Sequence, residues 1–346
     1  MGKDKKRYIQ KLSRWSIVIL ALILIAFWGA FSTDDKQEVK EDEYGTIYYK
    51  QGEYDKFLKY NETALQSNIK KFGKTHLKVA LNYNNIGLAW SKKGAYDKAI
   101  KFYNKALKIQ LATQREKNPL TATIYTNIGL VWHNRGEYEK AIEFYNKDLK
   151  INRATLGENH PATASSYHNI GGGWVSLGEY DKAIEFYQKS LKIRLVTIGE
   201  NHPDTATNYN NIGAIWYRKR AYDRAIEFYD KALNIRLATL GEKHPDTAVS
   251  YNNIGVVWND KREYTKAMEF YDKALKIRLI TLGENHPDTA VSYNNIGSLW
   301  SDKKEYNKSI EFYTKALNIF ISILGKNHPK VKMIKRNIKI VKEKLY

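Results

Sequence analysis

The sequence predicts an all-α protein, a solenoid of about seven helical hairpins that is preceded by one N-terminal transmembrane helix. Three observations predict this: an uncharged apolar run near the N-terminus, a set of glycines, tryptophans and prolines that recurs every 42 residues, and apolar residues at helical spacing within each period. The 346 residues are 43% hydrophobic and 27% charged, which is typical of a folded chain. The absence of cysteine excludes disulfides, thiolate nucleophiles and Cys-ligated metals.

The first element is the run from Trp15 to Phe31, which contains no charged residue. At about 1.5 Å per residue it spans roughly 26 Å, near the lower limit for crossing a bilayer. Basic residues precede it and acidic residues follow it, so the positive-inside rule places residues 1–14 in the cytoplasm as a basic tail. We predict a signal anchor over residues 15–32 and a single-pass protein whose remaining residues lie on the non-cytoplasmic side. Cleavage of a signal peptide and export is the alternative, although Trp28 is too large for an A-x-A-like site ending at Ala30.

The chain after the apolar run consists of internal repeats. The period of 42 residues is carried by Gly87, Gly129, Gly171, Gly213, Gly255 and Gly297, by Trp90, Trp132, Trp174, Trp216, Trp258 and Trp300, and by all six prolines of the chain, Pro119, Pro161, Pro203, Pro245, Pro287 and Pro329. A weaker first copy includes Gly45, Tyr48 and Gly52. The period therefore predicts a solenoid of seven repeats over residues 33–329, the first one degenerate, and a basic C-terminal capping helix over residues 330–346.

Each repeat is predicted to be one helical hairpin. In the repeat that begins at Pro203, a first helical stripe contains Tyr209, Ile212, Gly213 and Trp216, and a second stripe contains Tyr222, Ala225, Ile226, Tyr229, Ala232 and Leu233. Proline is favoured at the first helical position. The small residues Gly213 and Ala225 would let the two helices cross closely. Because Arg220, Arg262 and Lys304 replace the glycine of the intervening turn, we expect this turn not to require a positive φ.

The repeat resembles the tetratricopeptide repeat (TPR). The residues that carry the resemblance in one copy are Tyr83, Ile86, Gly87, Trp90, Gly94, Tyr96, Ala99, Tyr103 and Ala106. The 42-residue length and the loop sequence LGENHPDTA of residues 282–290 are similar to the kinesin-light-chain subtype of this repeat. The resemblance implies a right-handed stack of hairpins whose concave groove, lined by the first helix of each hairpin, binds peptides or proteins. It does not imply a motor role, because no heptad-repeat stalk is present.

The resemblance also implies which residues line that groove. The candidate peptide-binding residues are Asn84, Lys92, Thr126, His168, Asn210, Arg218, Asn252 and Asn294. An asparagine side chain offers both a donor and an acceptor to a peptide backbone. The groove is expected to be mildly basic near Lys92 and Arg218 and acidic at Asp260 and Asp302, which favours an acidic and apolar ligand bound towards the first five repeats. The neighbouring residues Asn85, Asn127, Asn169, Asn211, Asn253 and Asn295 are expected to be structural hydrogen-bond formers.

No enzyme motif accompanies the repeats, and we expect neither catalysis, nor a cofactor, nor a metal site. The histidines that precede proline, one in each loop, are too far apart to share a metal ion and are expected to be loop residues. The sequence thus predicts a membrane-anchored protein-interaction scaffold. Two alternatives remain open: a structural protein that self-assembles through its ends, and a weak binder of nucleic acid or another anionic polymer, suggested by the net charge of +20.

Overall fold

The computed structural model describes residues 45–113 and 117–345. These residues form two compact units, and the division falls between Ile109 and Gln110. The predicted cytoplasmic tail over residues 1–14 and the predicted transmembrane helix over residues 15–32 lie outside the described residues. Among the helices that the structure describes, none combines the length and the hydrophobicity that crossing a bilayer requires.

The first compact unit is helical. Residues 45–50 are helical and are followed by α1 (Tyr54–Phe72), α2 (Leu77–Lys92) and α3 (Tyr96–Ala112), whose last turn lies beyond the division. A Cβ atom at Gly87 would lie 2.7 Å from the ring of Tyr103, so α2 and α3 cross where only glycine fits. This close crossing places the interior between the two helices.

The second compact unit repeats the same hairpin. Its helices are α4 (Pro119–Asn134), α5 (Tyr138–Leu156), α6 (Pro161–Ser176), α7 (Tyr180–Thr197), α8 (Pro203–Arg218), α9 (Tyr222–Leu240), α10 (Pro245–Asp260), α11 (Tyr264–Thr281), α12 (Pro287–Asp302), α13 (Tyr306–Leu324) and α14 (Pro329–Glu343). We call the even-numbered helices A helices and the odd-numbered ones B helices. The described residues contain no strand, and the all-α prediction is confirmed.

Glycines on the A helices set the closeness of the hairpins. A Cβ atom at Gly213 would lie 2.9 Å from the ring of Tyr229, and Ala225 is fully buried beside it, as expected from the sequence. The run of three glycines in α6 has the same cause. A Cβ atom at Gly171 would lie 2.9 Å from Tyr187, and one at Gly173 would lie 2.5 Å from Ile142. Two of the three glycines are therefore required by packing.

The loop histidines have a specific role that the sequence analysis did not assign. The Nδ1 atom of His202 accepts a hydrogen bond from the backbone N–H of Asp204 at 3.1 Å, which caps the N-terminus of α8. The same cap recurs at His76, His160, His244, His286 and His328. Asn118 takes this place in front of α4. These residues are helix caps.

The expectation about the A–B turn is wrong. Arg220, Arg262 and Lys304 have positive φ angles of 59°, 63° and 63°, like the glycines at the equivalent positions. The reason is the hydrogen bonding of the helix end: Arg220 N–H donates to the Tyr217 carbonyl, and Ala221 N–H donates to the Trp216 carbonyl, both at 2.9 Å. This closure requires a left-handed residue at the second position after the helix, whatever its side chain.

Candidate functional site: the polar face of the A helices

The candidate residues differ in how much of each side chain is exposed. In the first compact unit, Asn84 is buried and Lys92 is exposed. In the second compact unit, Asn252 is buried and Arg218 is exposed, while the half-buried candidates are Thr126, His168, Asn210 and Asn294. We call the row formed by residues 126, 168, 210, 252 and 294 of the second unit the A face. The binding role of these residues stays a prediction.

Side chains of consecutive repeats are hydrogen-bonded along the A face. Asn253 Nδ2 donates to Asn210 Oδ1 at 2.9 Å, and Asn295 Nδ2 donates to Asn252 Oδ1 at 2.8 Å. Asn211 Nδ2 makes the equivalent bond to a ring nitrogen of His168 at 3.3 Å. The second asparagine of each pair is therefore structural, as expected. It also takes the acceptor of the residue in the preceding repeat.

This bonding changes what the candidate asparagines can offer to a ligand. The Oδ1 atoms of Asn210 and Asn252 already accept a bond, so they are not open acceptors. The amide nitrogen of Asn210 makes only a long contact of 3.5 Å to Asn211 Oδ1. The sequence analysis expected both a donor and an acceptor at these positions. The structure leaves mainly the amide donors for a partner.

A second row of bonds lies near the C-terminal ends of the A helices. Tyr217 Oη donates to Asp260 Oδ2 at 2.8 Å, and Asn259 Nδ2 donates to Asp302 Oδ2 at 2.7 Å. Burial, and then the Asp260 carboxylate, raise the pKa of the Tyr217 hydroxyl, which keeps it a donor. The two acidic residues expected in the groove are thus engaged with neighbouring repeats.

Three buried arginines lie at the bases of successive repeats, and the sequence analysis did not identify them. Arg194, Arg236 and Arg278 are 7%, 6% and 4% exposed. Each guanidinium donates from Nη1 to a backbone carbonyl and to a side-chain oxygen of the next A helix; for Arg278 these are the Asp288 carbonyl at 3.0 Å and Ser292 Oγ at 2.7 Å. Burial lowers the pKa of all three. Their recurrence every 42 residues was the available signal.

Arg194 is linked to His168 of the A face through one oxygen atom that accepts hydrogen bonds from both. Asn208 Oδ1 accepts from Arg194 Nη1 at 3.0 Å and from His168 Nδ1 at 2.6 Å. Burial, and then the charge of Arg194, lower the pKa of His168 to about 4. His168 is therefore neutral at physiological pH, with Nδ1 as the donor and Nε2 as the acceptor.

The repeat before it contains a buried acid instead. Asp148 is 3% exposed and accepts bonds from Ser166 Oγ at 2.6 Å and from Asn152 Nδ2 at 2.8 Å. Thr126, a residue of the A face, is a further hydrogen-bond partner. Burial raises the pKa of Asp148 to about 6 against the lowering effect of these bonds. The charge below the A face is thus negative near Thr126 and positive from His168 onwards, an arrangement that the sequence analysis did not predict.

The described residues contain no group of three or more histidine, cysteine, aspartate or glutamate side chains that could hold a metal ion. The second compact unit has a row of amide donors above buried charges. These side chains lie on stacked helical hairpins, and stacked helical hairpins define the class of helical-repeat solenoids.

The family is shown by sequence. The tetratricopeptide repeat model matches residues 39–112, 120–172, 175–236, 209–278 and 259–322, which is more than half of the chain. The chain therefore belongs to the tetratricopeptide repeat family. No curated protein sequence matches this chain.

Solved structures share the fold at low sequence identity. BtubC (BKLC) from P. vanneervenii is 23% identical, with a TM-score of 0.58 over 66% of this chain and 92% of its own. A kinesin-light-chain-like protein of nearly identical TPR-like repeats from Podosopora anserina is 18% identical, with a TM-score of 0.52 over 59% of this chain and 96% of its own. A tetratricopeptide repeat protein from Parabacteroides merdae is 16% identical, with a TM-score of 0.57 over 87% and 97%.

Proposed function

We propose that this chain is a membrane-anchored, non-catalytic scaffold that binds peptide or protein partners in the concave groove of a right-handed TPR solenoid. The observation that carries the proposal is the A face of the second compact unit, where donor groups stand in a row above buried charges. Hydrogen bonds between repeats hold these side chains in place, so a partner would meet a largely preformed surface. In the first compact unit, Asn84 and Lys92 occupy the equivalent positions and are proposed to serve the same role there.

The proposed ligand is an extended segment with acidic and apolar residues. Acidic residues are expected in the ligand because Arg218 is exposed and because the buried guanidiniums of Arg194 and Arg236 place positive charge below the A face. Apolar residues are expected in the ligand because Ala214 and Val256 of the protein are small and half-buried. They lie one turn beyond Asn210 and Asn252. The carboxylates of Asp260 and Asp302 oppose this preference less than their number suggests, since each accepts a hydrogen bond from the preceding repeat.

Site-specific photocrosslinking tests the proposal. A photoreactive phenylalanine analogue would replace Arg218, and in a matched variant it would replace Lys192, an exposed residue of the B helix α7. We expect a defined adduct from position 218, its loss when an excess of an acidic peptide is added, and no equivalent adduct from position 192. Equal labelling from both positions, or adducts unaffected when Asn210 and Asn252 are changed to alanine, would contradict groove binding.

The membrane location is part of the same proposal and rests on the sequence alone. Residues 15–32 are proposed to span the bilayer, with the N-terminus in the cytoplasm and the repeats on the non-cytoplasmic side; export after signal-peptide cleavage is the alternative. Because the chain contains no cysteine, single cysteines at Lys5 and Lys192 can be labelled separately with a membrane-impermeant maleimide on intact cells. We expect labelling at position 192 only. Labelling at position 5 would reverse the topology, and a soluble product lacking residue 5 would indicate cleavage.

A further inference from the structure

The helix α14 has the position of an A helix but an unusual surface. One side of it, formed by Val331, Ile334 and Val341, is buried against the rest of the second compact unit. Another side lines an open cavity of about 540 Å³, whose walls are Lys335, Ile338, Lys339, Lys342 and Glu343. We call this cavity the lysine slot. No described helix covers it.

The repeat shows what such a slot accommodates. Forty-two residues earlier, the positions of Lys335, Lys339 and Lys342 are occupied by Tyr293, Gly297 and Trp300 of α12. That side of α12 packs on its own B helix: the rings of Tyr293 and Phe312 lie 6.1 Å apart in a tilted arrangement, and a Cβ atom at Gly297 would lie 2.8 Å from Tyr313. The lysine slot therefore has the place of a B helix, but lysines stand where a B helix would need an aromatic ring and a glycine.

The three lysines that replace the repeat's tyrosine, glycine and tryptophan determine what kind of segment the slot can bind. Lysine side chains at the glycine and tryptophan positions exclude the close apolar crossing seen in the other hairpins. The three lysines are exposed, and the only carboxylate in the slot, Glu343, lies 3.8 Å from Lys339. The floor is apolar at the half-buried Ile338. An occupant with several carboxylates and a few apolar contacts is complementary to this surface.

This chain contains such a segment. Residues 34–43, DDKQEVKEDE, have six carboxylates against two lysines and lie outside the described residues. In the 42-residue period, Glu38 and Glu41 align with Ala80 and Tyr83, both apolar in sequence. The two ends of the repeat array thus carry opposite charges at positions that are apolar in the intervening repeats.

We propose that the acidic segment 34–43 of one copy binds the lysine slot of a second copy, so that the chains associate head to tail. The same pair of surfaces then remains open at each end of the assembly, and further copies can add. This self-association uses neither the A face nor a peptide ligand and is independent of the function proposed above.

Sedimentation velocity of the full chain in a nonionic detergent tests this proposal. We expect the sedimentation coefficient to rise with protein concentration and to fall when salt screens the charges. A slot variant (Lys335→Glu, Lys339→Glu, Lys342→Glu) and a segment variant (Asp35→Lys, Glu38→Lys, Glu41→Lys) should each associate at least about tenfold more weakly, because like charges would face each other. A matched variant that reverses Lys332 and Arg336 of α14 and Lys344 directly after it, all outside the slot, should associate like the wild type.

Mixing the two variants is the decisive measurement. The reversed segment of one then faces the reversed slot of the other, while the unreversed pair is also complementary, so the mixture should recover association. Circular dichroism of each variant must show wild-type helix content. A wild type that stays monomeric at all concentrations, a matched variant as weak as the slot variant, or a mixture without recovery would each overturn the proposal.

Discussion

Two neighbouring interfaces of the second compact unit occupy the same position of the repeat in opposite ways. Between α11 and α12, the buried Arg278 donates to Ser292 of the next A helix. Between α13 and α14, the equivalent residues are Phe320 and Ile334, which are 1% and 0% exposed. One interface is polar on both sides and the other is apolar on both sides. The comparison indicates that this position tolerates either chemistry when the two partners agree.

At a third repeat, one of the two equivalent residues is polar and the other is apolar. At the same position, Gln110 is fully buried, and its Oε1 and Nε2 atoms have no hydrogen-bond partner among the residues that the structure describes. The residue that would supply the partner, where other repeats have Ser166, Ser250 or Ser292, is Ile124. A buried amide without partners is costly. The interface between repeats is therefore optimised pair by pair.

The largest expected effect comes from breaking the polar pair. Arg278→Ala should destabilise the α11–α12 interface by about 3–4 kcal/mol, because it opens a cavity and leaves the Asp288 carbonyl without its donor. Amide hydrogen exchange in α11 and α12 measures the local effect in a repeat protein whose unfolding need not be two-state.

The double variant Arg278→Phe with Ser292→Ile copies the apolar interface and is the control for this prediction. It should lie within about 1 kcal/mol of the wild type, since replacing both partners removes the unpaired polar groups. Equal destabilisation by the single and double changes would mean that the interfaces are not interchangeable.

A pH dependence distinguishes the acidic interface from the basic ones. The pKa of Asp148 is raised from 3.8 to about 6 in the folded state, so between these pH values the folded state retains a proton that the unfolded state releases. The contribution of Asp148 to the free energy of unfolding therefore falls as the pH rises from about 4 to about 6, by up to about 3 kcal/mol. Urea unfolding at several pH values should show this fall as the difference in free energy of unfolding between the wild type and Asp148→Ala, which removes the group. The exposed Asp181→Ala should keep the wild-type slope.

Removing the mismatched pair should stabilise the protein. Gln110→Leu deletes two unpaired polar atoms from a fully buried site, so we expect a gain of about 2 kcal/mol. The matched change Asn152→Leu should instead destabilise, because Asn152 is bonded to Asp148 and Ser166. Thermal melting of both variants measures the difference, and a common direction would contradict the pairing rule.

The smallest expected effect is at the A–B turn. Arg220→Gly should stabilise by about 1 kcal/mol, because a left-handed conformation is unfavourable for a side-chain-bearing residue and readily adopted by glycine. Gly178→Arg, the reverse change at the equivalent turn, should destabilise by a similar amount. A melting temperature that does not move in opposite directions for the two variants would count against this strain.

The repeat lattice made most of the fold predictable from sequence. The stripe of Tyr209, Ile212 and Trp216 indicated the first helix of a hairpin, and the stripe that begins at Tyr222 indicated the second, because the packing of a hairpin depends on which residues share a face. The bonds along the A face were not predictable, since they join residues 43 positions apart across two repeats. Arg278 was missed for a similar reason. From sequence alone a charged residue is expected to be exposed. The carbonyl and hydroxyl that accept its hydrogen bonds inside the protein are known only from the structure.

The imidazole cap of His160 makes the start of α6 sensitive to acid. Only the uncharged ring can accept the Ala162 N–H through Nδ1, so a proton at that nitrogen converts the cap into a repulsion at the positive end of the helix. Burial already lowers the pKa of His160, so folding there opposes protonation and stability is lost as the pH falls. Acidification would therefore weaken the start of α6, whereas α4, which begins after Asn118, would keep its cap.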